Sequence, residues 1–233
     1  FAIPTQALAD FVKQYDIVGK TVIACCKGID LETGQSPSVI LNATACTAVL
    51  TGPSFARDIA RGLPTALTLA CDNPVAAVNF SFVIYTKTGF YRITDIVGAE
   101  IGGALKNVIS IGCGAVTGAG LGESARAALM ARGFIEMVRV ASVLGAQAET
   151  MMGLSGLGDL TLTCTSTQSR NYQYGFSIGA GIEFDRNLTV EGVSTARALR
   201  NLTTKLNVAL PVCMSVVDLV DNKVDINSVV DRL

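Results

Sequence analysis

The sequence of 233 residues contains no histidine and no tryptophan. Without histidine, the chain cannot build a serine–histidine triad, a histidine general base or an imidazole metal site. Only 16% of the residues are charged, and 18 Lys plus Arg against 19 Asp plus Glu leave a net charge of −1. The chain has no block of basic residues of the kind that marks nucleic-acid-binding proteins. Half of the residues are hydrophobic, which is typical of a globular protein and excludes a disordered one.

The chain has seven cysteines but no C-x-x-C motif. Because their number is odd and most lie in apolar runs, we interpret them as reduced thiols of a cytoplasmic protein, and we predict no metal site. Residues 33–56 and 107–122 are long and nearly free of charge, but polar residues and glycine interrupt both. We therefore expect no stable membrane insertion.

Strand-like and helix-like segments alternate in the first third of the chain. Helical spacing predicts helices over residues 6–15, 55–61 and 74–82, and short apolar runs predict strands over 21–26, 48–50, 65–71 and 83–85, with 1–4 as the end of another strand. After residue 94 the patterns indicate only helices, over 95–111, 123–144, 171–178, 194–206 and 211–221. On the second of these, Arg132 and Glu136 are expected to pair on the solvent face. The predicted fold is an α/β part with an open parallel sheet, followed by an all-α part.

Two solitary charges lie in apolar segments of the helical half. Lys106 is the only charged residue in 101–122, and Asp159 is the only one in 150–169. A buried unpaired charge is costly, so each needs a partner or a shifted pKa. One hypothesis is that they pair directly or through a substrate, with Lys106 as a general acid/base. The alternative is that each extends to the surface from a helix end.

Glycines and strand ends mark further candidates. Gly102-Gly103 precede Lys106 by one turn, where either a ligand or a closely packed backbone would explain two glycines in a helix. Lys27 follows an apolar strand, and strand ends of open α/β sheets face the ligand crevice, although a solvated strand end is equally consistent. The turn TGPS at 51–54 can present backbone N–H groups to an anion.

The tripeptide Ser169-Arg170-Asn171 stands ahead of a predicted helix. Arginine recognises phosphate with two parallel hydrogen bonds, which favours a phosphate site. Serine and asparagine are also common helix caps, so a capped helix with a surface arginine is the alternative.

Considered in order, these segments resemble the bacterial NAD(P)-dependent glycerol-3-phosphate dehydrogenases. The matching segments are ACCKG at 24–28, TGPSFA at 51–56, GLPT at 62–65, EIGGALKNV at 100–108, ARAALMARG at 125–133, GLSGLGDLTLTC at 153–164, SRN at 169–171 and VEGV at 190–193. The resemblance implies a partial Rossmann domain over residues 1–94 and an all-helical substrate domain over 95–233. It also implies hydride exchange between NAD or NADP and the pair dihydroxyacetone phosphate and glycerol 3-phosphate, for glycerophospholipid synthesis, in a cytoplasmic enzyme that we expect to be a homodimer.

The resemblance also carries roles to individual positions. Lys106 resembles the catalytic acid/base, Asp159 the acidic residue that orients it, and Lys27 a second active-site lysine that contacts substrate near the cofactor. The other implied substrate contacts are Gly52, Ser54, Ser169, Arg170 and Asn171. The implied cofactor contacts are Lys27, Ala56, Arg170, Val190 and Glu191.

One family feature is missing from these 233 residues. No G-x-G-x-x-G occurs before Lys27, whereas the family carries this phosphate-binding turn on its first strand. We therefore expect one or more βαβ units upstream of Phe1, and residues 1–233 alone to lack dehydrogenase activity and to bind cofactor poorly. Two alternatives stay open: another dehydrogenase with a similar helical domain, and a non-catalytic helical domain that binds a phosphorylated ligand or another chain.

Overall fold

The computed structural model describes residues 1–83 and 89–230, and the α/β part followed by an all-α part is confirmed. The first part consists of α1 (Thr5–Gln14), β1 (Thr21–Ala24), α2 (Pro37–Ile40), β2 (Cys46–Thr51), α3 (Ala56–Ala60), β3 (Ala66–Ala70), α4 (Pro74–Val83) and β4 (Gly89–Ile93). The second consists of α5 (Ile96–Gly118), α6 (Gly122–Val143), α7 (Ala148–Met152), a π-helical turn (Leu154–Gly158), α8 (Asp159–Thr165), α9 (Arg170–Ala180), α10 (Glu191–Leu206), α11 (Pro211–Val220) and α12 (Ile226–Val230).

The described strands form one sheet in the order β1-β2-β3-β4. The pairs β1–β2 and β3–β4 are parallel, but β2 and β3 are antiparallel, with Val49 opposite Ala70. The expectation of a parallel sheet is therefore wrong at this pairing. The chain between these strands, residues 52–65, contains one short helix, α3, and stays at the edge where β2 ends, so β3 begins there and runs back along β2.

The ends of the first part differ in detail from the sequence-based prediction. Phe1 pairs beside β1, since its amino group donates to the Ile23 carbonyl at 2.6 Å and its own carbonyl accepts from Cys25 N at 2.7 Å. The strand predicted over 83–85 is wrong at Val83, which ends α4, and its other two residues lie outside the described part. The sequence does not indicate β4 or the short helices α2, α7, α8 and α12, because four to seven residues show too little periodicity.

Glu136 is buried rather than solvent-facing, so the expected surface pair with Arg132 is wrong. Its two carboxylate oxygens accept hydrogen bonds from the backbone N–H groups of Val212 and Cys213, at 2.7 and 2.8 Å. A carboxylate satisfies unpaired donors at a helix N-terminus and complements its positive end. Glu136 therefore fixes the start of α11 against α6.

Helix α5 is the core of the second part. It is long and apolar enough to cross a bilayer by composition, but 89% of its most apolar stretch is buried inside the chain. Helix α9 packs on it backbone to backbone: a Cβ atom on Gly175 would overlap the Ile111 carbonyl, and one on Gly114 would overlap the Tyr172 carbonyl. This close approach holds the N-terminus of α9, with its SRN tripeptide, beside the buried face of α5.

The contact between α5 and α9 makes Gly175 a test position. Gly175→Ala should lower the free energy of unfolding by about 1–3 kcal/mol, because overpacking outweighs the roughly 1 kcal/mol that alanine gains in helix propensity. Urea unfolding measures this change. Gly89→Ala is the control, since nothing lies within 4 Å of a Cβ atom there. Equal midpoints for Gly175→Ala and the unsubstituted protein would show that the two backbones are not in contact.

Candidate functional site

Four elements bring the two solitary charges together with Lys27. Lys27 follows β1, Thr51 ends β2, Lys106 lies on α5, and Asp159 begins α8 directly after the π-helical turn. Because β1 and β2 are parallel, their carboxyl ends share one edge of the sheet, which is where open α/β sheets bind ligands. The site therefore lies where the sheet meets the helical part.

The glycine pair before Lys106 serves close packing. A Cβ on Gly102 would overlap the Ser155 carbonyl in the π-helical turn. A Cβ on Gly103 would be 3.3 Å from Thr51 Oγ1 and 3.4 Å from Lys27 Cγ. Of the two explanations left open for these glycines, a closely packed backbone is confirmed at Gly102. The bare surface of α5 lets the sheet edge and the turn before Asp159 reach Lys106.

The Asp159 carboxylate joins both lysines. Lys106 Nζ donates to Oδ1 at 2.6 Å, and Lys27 Nζ donates to Oδ2 at 3.0 Å. The Thr51 hydroxyl donates to Oδ2 at 3.4 Å. Lys106 Nζ also donates to Thr163 Oγ1 at 3.0 Å, and that hydroxyl donates to the Asp159 carbonyl at 2.6 Å. The pairing of Lys106 with Asp159 is direct, so the surface alternative is wrong for both.

Burial sets the electrostatics of this cluster. Asp159 is 1% exposed and Lys106 is 6% exposed. Burial and the adjacent Lys27 ammonium lower the pKa of Lys106 to about 8, although the Asp159 carboxylate opposes the shift. Burial would raise the pKa of Asp159, but the two ammonium groups outweigh it and hold that pKa below its ordinary value. Lys106 can therefore gain and lose a proton near neutral pH while Asp159 remains ionised.

Two residues of the SRN tripeptide are held by hydrogen bonds within the fold, and the third is free to bind a ligand. Ser169 caps α9, its hydroxyl accepting from Tyr172 N at 3.2 Å. The Asn171 amide donates to Asn107 Oδ1 at 3.0 Å and accepts from Gly192 N at 2.9 Å, which ties α9 to α5 and α10. Arg170 is exposed and its guanidinium makes no hydrogen bond or ion pair with the described residues. Its free donors stand at the N-terminus of a helix, where anions bind.

Glu191 lies on the same side of the cluster. Burial raises the pKa of this half-buried carboxyl, and the charges of Arg170, Lys27 and Lys106 act against that shift. The four charged groups are therefore close enough for the three cations to act on Glu191. They belong to α10, α9, the loop after β1, and α5.

The loop after β1 passes close to two threonine hydroxyls. Gly28 has a φ of +140°, and a Cβ there would be 3.1 Å from Thr195 Oγ1 and 3.4 Å from Thr5 Oγ1. Thr5 is 2% exposed, and its hydroxyl has no hydrogen-bond partner within the described ranges. A buried unpaired hydroxyl at the N-terminus of α1 is the kind of group that a polar ligand satisfies. These features fit a nicotinamide cofactor beside Lys27.

The remaining candidates lie near the cluster without a direct contact to it in the described structure. Gly52 has a φ of +131°, which turns the chain sharply after β2. Ser54 follows this turn, and Ala56 is exposed at the start of α3. The Gln168 amide donates to Asp58 Oδ2 at 3.4 Å, which brings α3 close to the SRN segment. Val190 is the residue before α10 and packs on the core of the helical part.

Several residues of the cluster were missed from the sequence. Thr51 and Thr163 both bind Asp159, and Asn107 and Ser110 anchor the SRN segment to α5. Helical spacing could have predicted two of them. Thr163 follows Asp159, and Ser110 follows Lys106, by four residues, so each lies on the same helix face as that charge. Thr51 gave no such signal, since its contact depends on how the sheet meets α8.

The cysteines agree with the interpretation as reduced thiols. All seven are free, and Cys26, Cys71, Cys113, Cys164 and Cys213 are buried. Burial raises the pKa of Cys26 and of Cys46 to about 11, so both are protonated near neutral pH.

The fold and the cluster together define an α/β protein with a helical domain, whose buried lysine–aspartate cluster lies at the carboxyl ends of parallel strands. The family model for the N-terminus of NAD-dependent glycerol-3-phosphate dehydrogenase matches residues 1–77, and the model for its C-terminus matches residues 95–231. The chain belongs to this family, which confirms the resemblance drawn from its motifs.

Individual members of the family are similar to this chain over nearly its whole length. A glycerol-3-phosphate dehydrogenase [NAD(P)+] of Ruegeria sp. (strain TM1040) is 50% identical, over 100% of this chain and 74% of the relative, and one of Cereibacter sphaeroides is 52% identical, over 100% and 78%. The crystal structure of glycerol-3-phosphate dehydrogenase from Coxiella burnetii matches with a TM-score of 0.90 and 30% identity, over 98% of this chain and 74% of that one. The chain thus spans about three quarters of the length of these proteins.

The lowered pKa of Lys106 predicts a pH-dependent stability. Between a folded pKa of about 8 and the ordinary value of 10.5, the unfolded chain holds a proton that the folded chain has lost. Stability therefore rises with pH in this window, by up to about 1.4 kcal/mol per pH unit. Urea unfolding from pH 8 to 10 should show this rise, relative to Lys106→Met, in which the titrating amine is gone. Parallel stability curves for the two proteins would contradict a lowered Lys106 pKa.

Proposed function

We propose that this chain supplies the catalytic and substrate-binding residues of a dehydrogenase that uses NAD or NADP to interconvert dihydroxyacetone phosphate and glycerol 3-phosphate. The observation that carries the proposal is the buried Lys106 amine, which is paired with Asp159 and lies beside Lys27 at the ligand-binding edge of the sheet. Membership in the glycerol-3-phosphate dehydrogenase family supports the substrate and the cofactor.

Lys106 acts as the acid/base in this proposal. During reduction its ammonium donates a proton to the carbonyl oxygen of the substrate, and in the reverse direction its amine accepts the hydroxyl proton. A pKa of about 8 suits both directions, because neither protonation state is costly near neutral pH. Asp159 and Thr163 hold Nζ in place, at 2.6 and 3.0 Å.

Lys27 has two functions in the proposed site. Together with burial, its positive charge lowers the pKa of Lys106, and its ammonium is close enough to Lys106 to bind an oxygen of the same substrate. The side chain of Lys27 is 20% exposed, so it can also contact solvent or ligand while it binds Asp159. Asp159 balances one of the two cations, which leaves the site with a net positive charge that attracts a phosphorylated substrate.

The phosphate of the substrate binds at the N-terminus of α9. Arg170 supplies a bidentate donor that no described residue occupies, and the helix supplies backbone N–H groups. Ser169 and Asn171 would contact the phosphate by exchanging or sharing their present hydrogen bonds. Gly52 and Ser54 would contact the substrate from the turn after β2.

A nicotinamide cofactor, when bound, supplies or accepts the hydride at the substrate carbon. The residues proposed to hold it are Lys27, Ala56, Arg170, Val190 and Glu191. The half-buried Glu191, on which three nearby cations act, and the unpaired Thr5 hydroxyl support a polar ligand on this side.

We assign the dinucleotide-binding part to residues 1–94 and the substrate-binding part to 95–233, which the limits of the two family models support. A cytoplasmic location is consistent with seven free thiols. A role in glycerophospholipid synthesis and a homodimeric state complete the proposal, and native mass spectrometry tests the latter.

Removal of the proposed acid/base tests the reaction. Lys106→Met in the full-length gene product should reduce kcat by about 10²–10⁴-fold, the usual effect of losing a positioned proton donor. Lys205→Met, on the exposed end of α10, is the control and should retain full activity. Turnover close to that of the unsubstituted enzyme in Lys106→Met would exclude Lys106 as the acid/base. Binding of substrate without turnover in the unsubstituted protein would instead favour a non-catalytic domain.

The phosphate site is tested with two substrates. Arg170→Lys keeps the charge but removes the bidentate geometry, so kcat/KM for dihydroxyacetone phosphate should fall by about tenfold or more. The rate with unphosphorylated dihydroxyacetone should change much less. Arg61→Lys, at an exposed position after α3, controls for the loss of any surface arginine. Equal losses on both substrates would mean that Arg170 supports the structure and not the phosphate.

A further inference from the structure

A second group of chemically active side chains lies at the opposite edge of the sheet. Cys46 begins β2, and Cys71 and Asp72 directly follow β3. Because β2 and β3 are antiparallel, the start of one strand and the end of the other meet at the same edge. The five-residue advance from Cys46 to Thr51 along β2 separates this edge from the lysine–aspartate cluster by about 17 Å.

The three side chains converge on one point. Cys46 Sγ and Cys71 Sγ are 3.5 Å apart, and both lie with a carboxylate oxygen of Asp72 within 4.8 Å of one another. Two sulfurs bound at 2.3 Å to a tetrahedral zinc ion are separated by about 3.8 Å. The sulfurs are therefore already close to the spacing that a shared metal ion requires.

The strand register argues against a disulfide as the purpose of this pair. Val49 lies opposite Ala70, so Cys71 is opposite Ala48, two residues along the strand from Cys46. Diagonal neighbours of this kind have Cα atoms about 7–8 Å apart, beyond the usual disulfide range of about 4.4–6.8 Å. A metal ion bridges such a pair without moving either strand, whereas a disulfide pulls the strands together.

We propose that Cys46, Cys71 and Asp72 form a binding site for one thiophilic divalent cation, Zn²⁺ being the natural occupant. Two thiolates and one carboxylate are established zinc ligands, and a set of three leaves the fourth tetrahedral position for water. The cation displaces the two thiol protons, which are released to solvent as it binds. The exposed Asp72 carboxylate can turn toward the sulfurs, while the buried Cys71 gives a fixed anchor.

An opening beside the group gives a cation access. A cavity of about 460 Å³ is lined by Thr21, Cys46, Asn73 and Phe80, among others. Cys46 is half-buried, so its sulfur can be reached through this cavity. The site lies outside the proposed catalytic machinery, and its existence does not depend on the proposed reaction.

Cobalt and zinc titrations test the site in the full-length gene product, reduced with a phosphine and stripped with a chelator. One equivalent of Co²⁺ should produce the near-ultraviolet absorption of cobalt–thiolate bonds, and one equivalent of Zn²⁺ should remove it. Cys46→Ser should abolish this absorption. Asp72→Asn, at an exposed position that should not disturb folding, should weaken Zn²⁺ binding by at least the roughly 10–100-fold caused by loss of an outer-shell contact.

Cys25→Ser is the matched control, because Cys25 is also half-buried but lies outside the group. It should keep the cobalt absorption and the Zn²⁺ affinity of the unsubstituted protein. The proposal is overturned if the unsubstituted protein shows no cobalt–thiolate absorption, or if Cys46→Ser and Cys25→Ser behave alike. A Cys46–Cys71 disulfide found by mass spectrometry in the freshly purified protein would likewise overturn it.

Discussion

The carboxylate of Asp159 is the point on which the arrangement of the two parts depends. A charge that is 1% exposed must be neutralised at short range, and Asp159 is neutralised by ammonium groups from two different elements. Lys27 lies in the loop after β1, 132 positions away in sequence, and Lys106 belongs to the core helix. Removing Asp159 would leave two adjacent ammonium groups without a counter-charge, so the end of β1, α5 and α8 are constrained to meet at this carboxylate.

The backbone around Asp159 is shaped to reach that meeting point. The π-helical turn of Leu154–Gly158 packs so closely that a Cβ on Gly156 would overlap the Met151 carbonyl. Turns of this kind are uncommon and are frequently found at functional sites. Here the turn lies against the bare surface of α5 at Gly102 and ends at Asp159. Glycines in the turn and on α5 let the two backbones approach closely, which brings the Asp159 carboxylate within hydrogen-bonding distance of Lys106.

Much of this site could be predicted from the sequence, because a charged residue that must be buried stands alone in a long apolar segment. A lone lysine and a lone aspartate in long apolar segments imply a partner, and the structure pairs Lys106 with Asp159 directly. Alternating segments likewise indicated an α/β part and then helices. The ordered set of motifs also identified the family, which no single motif could have done.

The rest depends on contacts between distant parts of the chain. Glu136 had the spacing of a surface residue, yet its carboxylate caps α11, which lies 76 positions further along. The direction of β3 depends on the end of β2 at which residues 52–65 return to the sheet, and the apolar runs of the sequence do not contain that information. The sequence analysis predicted no metal site, because Cys46 and Cys71 are separated by 25 positions and only the strand register brings their sulfurs together.

The antiparallel pairing of β2 and β3 has a consequence for the whole sheet. In a fully parallel sheet all carboxyl ends share one edge, and polar chemistry collects there. Here β1 and β2 end at the edge that carries Lys27 and Thr51, whereas β3 ends at the other, which carries Cys71 and Asp72. Strand β2 joins the two edges, since Cys46 is its first residue and Thr51, which binds Asp159, is its last. A cation at the far edge would fix the start of this strand without touching the lysine–aspartate cluster.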